Sequence, residues 1–202
     1  MTKFRPVVSE SKANDEFLKQ FNTRHEIALL APEGSIGAEL GVDAGQLSER
    51  FLNLNHFSSF HCVDKWDSTD DEWDKLDMHG RHQYLAVAER LMQYPAARVW
   101  RMTAQEWAER IPDESLGFVY IDCYAHTGQD DGKILEVLWP KMIPGGVFAG
   151  DDYDPGKWRA TYEAVNKFAE KIGKQVQIND SFCDPEILRI WQDASPTWYW
   201  IK

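Results

Sequence analysis

Long apolar runs are missing from this 202-residue chain. No stretch approaches the ~18 apolar residues of a spanning helix, and the opening MTKFRPVVSESKANDE has no apolar signal-peptide core. The expectation is a soluble, cytoplasmic protein with no membrane partner. Cysteine is scarce: Cys62, Cys123 and Cys183 are odd in number, widely spaced and free of CxxC pairs, which argues against a disulfide framework or a zinc knuckle. Basic residues are outnumbered, 22 Lys and Arg against 33 Asp and Glu, for a net charge of -11. That balance disfavours a nucleic-acid backbone or an anionic membrane surface, since both reward Lys and Arg. A small molecule or a protein is the expected partner, with a small-molecule acceptor favoured. Repeats, low-complexity tracts and Pro/Gly/Ser linkers are also missing, so one globular domain is expected at this length.

What is present centres on residues 116–153. Residues 116–121 form a nearly continuous apolar run rich in β-formers, as in a parallel strand covered on both faces, and Asp122 ends it. Ile134, Leu135, Val137, Leu138 and Met142 recur at roughly helical spacing, and Pro144-Gly145-Gly146 breaks the helix. Residues 147–149 begin a second strand closed by Asp151 and Asp152. This is a βαβ unit, in which ligands bind outside the carboxyl ends of the strands, so Asp122, Asp151 and Asp152 are expected in one crevice. Three carboxylates there repel one another, and a hard, oxygen-seeking cation is the usual remedy.

Along the rest of the chain the period alternates between helix and strand. Residues 1–33 read as a loose arm followed by a covering helix, with Asn14 as N-cap and Pro32 and Gly34 as terminators. Residues 34–202 read as the main domain. Residues 36–40 form a short strand entering a Gly-containing turn, a helix follows from Gln46, and residues 58–63 form a strand that delivers Asp64. Between Asp64 and Asp77 seven acids face two lysines, with Trp66 and Trp73 interleaved, which suggests an exposed segment or lid beside the pocket. A helix over 84–92, a strand over 99–102 and a brief helix over 105–111 come next. After Asp152 a helix spans 158–172, and the tail alternates as strands do at 176–178, 187–191 and 198–201. The fold class is therefore α/β: a doubly wound, Rossmann-like sheet of seven strands, mostly parallel with an antiparallel C-terminal hairpin and helices on both faces.

The first candidate site is Glu39-x-Gly41-x-x-x-Gly45 between a strand and a helix. Glycines let the backbone turn sharply near a ligand, and the acid can accept hydrogen bonds from a ribose or an amino group. The spacing is not GxGxxG, so the turn reads equally as plain structure. Asp64 ends the next strand, where an acid in this fold meets ribose hydroxyls; the alternative is a strand-end cap. Trp66 either stacks on a base or packs. Thr103 and Ala104, with Gln105 and Glu106, either line an adenine or simply start a helix. Tyr124, Tyr153 and Trp158 are candidate acceptor contacts or packing residues. His56 and His61 read as structural and His79 and His82 as solvated, since His79-x-x-His82 has no third metal ligand nearby.

The segments IGAELGVDAGQLS, HCVDKW, VYIDCYAH and KMIPGGVFAGDDY, in that order, resemble the class I S-adenosylmethionine-dependent methyltransferases. More narrowly they resemble the metal-dependent branch that includes macrocin-type and cephalosporin-type O-methyltransferases. The resemblance covers residues 34–172. It implies S-adenosylmethionine as cofactor, with Glu39, Gly41 and Gly45 around its methionine part and Asp64 on its ribose. It also implies Mg bound by Asp122, Asp151 and Asp152 together with the acceptor oxygens. The family commonly carries a His three residues after the strand-end Asp. Here that place is Ala125, and His126, one residue later, is either the candidate general base beside Asp122 or an exposed loop histidine. The function so implied is Mg-assisted O-methylation of a small hydroxylated molecule, a sugar or other vicinal diol. Two rivals are a catalytically inactive binding module on the same fold and a nicotinamide-dependent oxidoreductase, which the missing GxGxxG disfavours.

Overall fold

The computed structural model describes residues 24–66, 80–179 and 195–202. The first part of the expected covering helix, the acidic segment beyond Trp66, His79, the side chain of His82 and the strand expected at 187–191 lie outside the described residues. Seven strands form one sheet: β1 (Ile36–Leu40), β2 (Ser59–Asp64), β3 (Ala97–Arg101), β4 (Leu116–Ile121), β5 (Met142–Gly150), β6 (Gln177–Asn179) and β7 (Thr197–Ile201). Their order is β3-β2-β1-β4-β5-β7-β6. The first five are parallel to one another, whereas β7 runs antiparallel to both β5 and β6. This is the doubly wound sheet with a C-terminal hairpin expected from the sequence.

The helices are α1 (Gln46–Asn53), α2 (Gly80–Leu91), α3 (Ala104–Ala108), α4 (Gly128–Asp131), α5 (Lys133–Leu138) and α6 (Arg159–Ile172), with a 3-10 helix at Arg24–Leu30. They divide the core into two layers. Under α1 and the 3-10 helix lie Ile27, Phe51, Phe60, Phe118 and Tyr120, with the Phe51 and Phe118 rings 5.1 Å apart, edge to face. Under α3, α5 and α6 lie Trp107, Leu135, Phe148, Phe168, Trp198 and Trp200. Every residue of β4 is buried, because its side chains alternate between the two layers. Truncating Phe118 to Ala there costs about 3–5 kcal/mol by lost burial and the cavity left behind.

Several boundaries differ from the sequence expectation, two of them within the central βαβ unit. The strand expected at 147–149 begins at Met142, because Leu116 pairs with Met142 and Phe118 with Val147, so a bulge absorbs Pro144-Gly145-Gly146. The helix expected through Met142 stops at Leu138 and tightens into a 3-10 turn, Trp139–Lys141, at Pro140.

Candidate functional site at the carboxyl edge of the sheet

β1, β2 and β4 end side by side, and backbone hydrogen bonds tie their carboxyl ends together. The Gly41 amide donates to Val63 O at 2.9 Å and the Asp122 amide to Leu40 O at 2.8 Å. Gly41 has φ +92°, and a Cβ there would overlap the Asp122 carbonyl oxygen, so only glycine fits between the two strand ends. Gly45, at φ +78°, opens α1. Between them the turn hangs on Asp64, whose Oδ2 accepts the amides of Val42 (2.8 Å) and Asp43 (2.9 Å) and whose Oδ1 accepts that of Trp66 (2.8 Å). An ionised carboxylate has about four acceptor positions, so Asp64 keeps one for a further donor.

Glu39 lies behind this turn, buried, and its carboxyl accepts the hydroxyl of Ser48 from α1. Burial raises its pKa well above 4.5; the Ser48 bond opposes this, and the charges of Asp122, Asp64 and Asp43 add to the rise. Burial likewise raises the Asp64 carboxyl, against the pull of its three backbone amides. Glu39, Asp43, Asp64 and Asp122 therefore share one electrostatic neighbourhood. Ser48 had a sequence signal only in hindsight, at the third residue of the helix after Gly45.

Asp122 also belongs to a second group. Both it and Asp151 push up the pKa of the buried Tyr120 phenol, whose first cause is burial, while Arg24 lowers it. The Tyr120 hydroxyl bonds Thr197 Oγ1 at 2.8 Å. Asp122 and Asp151 thus converge, as neighbouring strand ends should: β4 pairs Ile121 with Gly150 of β5. The Asp151 carboxylate is engaged by the guanidinium of Arg24, and that same guanidinium donates to Ser195 O at 3.1 Å. Arg24 is buried and sits 127 positions from Asp151, and nothing in the sequence signalled the pair. Asp152 follows in a left-handed conformation, φ +64°.

For the magnesium expectation the described residues offer no ready-made site. Among the described residues no three His, Cys, Asp or Glu side chains group closely enough to hold a metal ion. Asp151, one of the three expected ligands, already carries a buried guanidinium as counter-charge. The residues present do not fit a divalent site formed by Asp122, Asp151 and Asp152.

Of the two readings left open for Trp66, the structure shows packing: it is buried, its indole N–H donates to Asp43 O at 2.9 Å, and its ring packs on Tyr84 at 5.1 Å. Thr103 and Ala104 are taken up locally. The Thr103 hydroxyl and amide form a capping box with Glu106, and Ala104 is buried with its amide directed at the Tyr124 phenol. Tyr124 also donates to Gln105 Oε1, and burial pushes its pKa up to about 12. Tyr153 is buried, with its hydroxyl on Asn166 Oδ1 at 3.0 Å. His61 accepts from the Trp107 indole at 3.1 Å, and burial lowers its pKa to about 4, a structural histidine as expected.

His126 is exposed at the rim, its ring edge-on to Trp158 at 4.9 Å. Its loop is fixed to α6 by the Thr161 hydroxyl, which donates to Ala125 O at 3.0 Å. The loop then makes a left-handed turn, with Gly128, Gln129, Asp130, Asp131 and Gly132 at φ 63°, 60°, 54°, 55° and 81°. Three consecutive non-glycine residues in that region are strained, each costing ~1–2 kcal/mol.

The sequence of residues 36–153 matches the family described as "Methyltransferase domain". The chain belongs to this methyltransferase family. Its sheet order and C-terminal hairpin are those of the class I S-adenosylmethionine-dependent methyltransferases. Among solved structures the methyltransferase resembles a SAM-dependent methyltransferase from Aquifex aeolicus, at 14% identity over 89% of this chain and 90% of that one, TM-score 0.57. It also resembles the precorrin 8w decarboxylase of Methanobacterium thermoautotrophicum (16% identity, 75% of this chain and 71% of that one, TM-score 0.53). Spermidine synthase from Thermotoga maritima is similar at 13% identity over 91% of this chain, TM-score 0.59, and the chain spans 62% of that protein's length. At these identities the likeness is one of fold. No curated protein matches the sequence. No helix among the described residues of the methyltransferase is long and apolar enough to cross a membrane.

Proposed function

We propose that this methyltransferase transfers a methyl group from S-adenosylmethionine to an oxygen of a small hydroxylated acceptor at the carboxyl edge of β4 and β5. The observation that carries the reading is the convergence of the Gly41–Gly45 turn, Asp64 and Asp122 at one edge of the sheet. S-adenosylmethionine supplies an electrophilic methyl on a sulfonium. The chain's task is to place an oxygen in line with that methyl carbon and to accept a proton from it. In this reading Gly41 and Gly45 give the backbone its close approach, and Asp64 uses its remaining acceptor position on a ribose hydroxyl. Glu39, buried and with its carboxyl pKa raised above the ordinary range by burial, fixes α1 to the turn through Ser48. His126, exposed at the rim, takes the acceptor's proton on a ring nitrogen. Trp158 holds that ring edge-on and defines one wall.

A second reading keeps the cofactor and drops the chemistry. In its favour, the other polar groups near the acceptor side are engaged: the Tyr124 phenol is protonated at neutral pH and the Tyr153 hydroxyl is held by Asn166. Calorimetric titration of the full chain with S-adenosylhomocysteine tests what both readings share, and absence of binding refutes both. Screening hydroxylated acceptors with methyl-labelled cofactor separates them. Transfer that His126→Ala abolishes while cofactor binding persists establishes the enzyme reading.

A further inference from the structure

The end of β5 holds a fixed organic cation. Arg24 enters from the 3-10 helix, is buried, engages the Asp151 carboxylate and donates to Ser195 O at 3.1 Å. Asp151 is itself held through its backbone. Its amide donates to Ile121 O at 2.9 Å, and its carbonyl accepts the Trp198 indole at 3.0 Å. The guanidinium is thus held between the end of β5 and the residues just before β7, and the buried Tyr120 phenol feels its charge together with those of Asp151 and Asp122.

We propose that Arg24 is the resident cation of this crevice: it stands where a divalent ion would bridge the strand-end carboxylates, and the protein works without one. A planar guanidinium matches a carboxylate in a fork geometry and stays charged at any physiological pH. A divalent ion requires oxygen ligands and would have to displace Arg24, leaving that charge buried without its carboxylate. Arg24 is therefore a positioning residue that balances the crevice charge, and the acceptor needs no pair of chelating oxygens. The inference rests on the proposed function for where the acceptor lies, but not for the ion pair itself.

Mn2+ titration followed by electron paramagnetic resonance tests it, since bound ion loses the sharp signal of free ion. The samples are the full native chain, Asp151→Asn, Arg24→Gln and the double variant, each checked for fold by circular dichroism. Native and Asp151→Asn chains are expected to titrate alike. Arg24→Gln, with the carboxylate exposed to the ion, is expected to bind Mn2+ at least ~10-fold more tightly, and the double variant to lose that gain. Mn2+ bound by the native chain and lost in Asp151→Asn overturns the proposal, as does a folded Arg24→Gln with no gain. Should Arg24→Gln not fold, the native comparison decides alone. Calorimetry with S-adenosylhomocysteine on the same native sample keeps the readings apart: its failure removes the methyltransferase reading and leaves the ion pair standing.

Discussion

Asp64 holds Asp43 by its backbone amide at 2.9 Å, and through the same oxygen holds Val42 at 2.8 Å, so the end of β2 sets the shape of the glycine turn after β1. Charge-assisted bonds of this kind are worth about 1.5–3 kcal/mol each. Asp64→Asn turns one acceptor oxygen into a donor facing amides and removes the charge. The expected outcome is a loss of roughly tenfold or more in S-adenosylhomocysteine affinity, read by calorimetry, together with a lower Tm.

Gly41→Ala and Gly45→Ala separate close approach from conformational freedom. Both carry positive φ, but a Cβ at Gly41 meets the Asp122 backbone, whereas at Gly45 it meets only side chains, the guanidinium end of Arg90 at 2.8 Å and Val87 at 3.0 Å. Gly45→Ala is expected to cost about 1–2 kcal/mol by strain alone. Gly41→Ala should cost more, and should weaken cofactor binding as well. Chemical denaturation of the two variants ranks them; equal costs would mean that the β1–β4 approach is not the constraint.

The buried Glu39 carboxyl makes stability depend on pH. Its pKa in the folded chain is raised above 4.5, so the folded state holds the proton more tightly than the unfolded one. Its contribution is full below about 4.5 and declines as pH rises toward the folded value. Glu39→Gln keeps an acceptor for Ser48 without the titration. Melting curves between pH 4.5 and neutrality are expected to fall less steeply with rising pH in the variant than in the native protein.

His61 acts in the opposite sense. Its pKa falls from 6.5 to about 4 by burial first and the Arg98 charge second, so the unfolded chain binds the extra proton more readily. Stability from this residue is present above 6.5 and is lost as pH falls toward 4. In His61→Phe that acid-side decline should shrink, with Tm followed from pH 7 downward.

The left-handed turn offers a stabilising change. Asp131 is exposed and held at φ 55°. Asp131→Gly relieves the steric cost while adding backbone entropy to the unfolded chain, for an expected net gain of about 0.5–1 kcal/mol in denaturant unfolding. A loss instead would show that the side chain, rather than the turn, is what the loop needs.

The sheet was legible because its strands are short apolar runs with abrupt ends. Leu116–Ile121 could be bounded to the residue from Asp122 alone. The convergence of Asp122 with Asp151 followed from the topology of a βαβ unit, without any knowledge of side chains. What lay beyond reach depended on partners far away in sequence. Arg24 reads as an ordinary polar position of a covering helix, and only folding brings it to Asp151. For Trp66 the sequence could not choose between stacking on a base and packing, because the choice depends on Asp43 O and the Tyr84 ring, which only folding brings to it. The turn at Gly128–Gly132 has two glycines as a clue, but three non-glycine residues between them gave no reason to expect a left-handed path.

The placement of β7 between β5 and β6 dictates an order of assembly during synthesis. β1 to β5 can pair as they leave the ribosome, but β6, made before β7, has no described strand beside it until residues 197–201 have emerged. Ser195, which receives Arg24, lies two residues before the start of β7 and arrives with it. The nascent chain therefore carries an open β5 edge and an incompletely held Arg24 segment until β7 docks, an interval in which chaperones have a defined surface to shield.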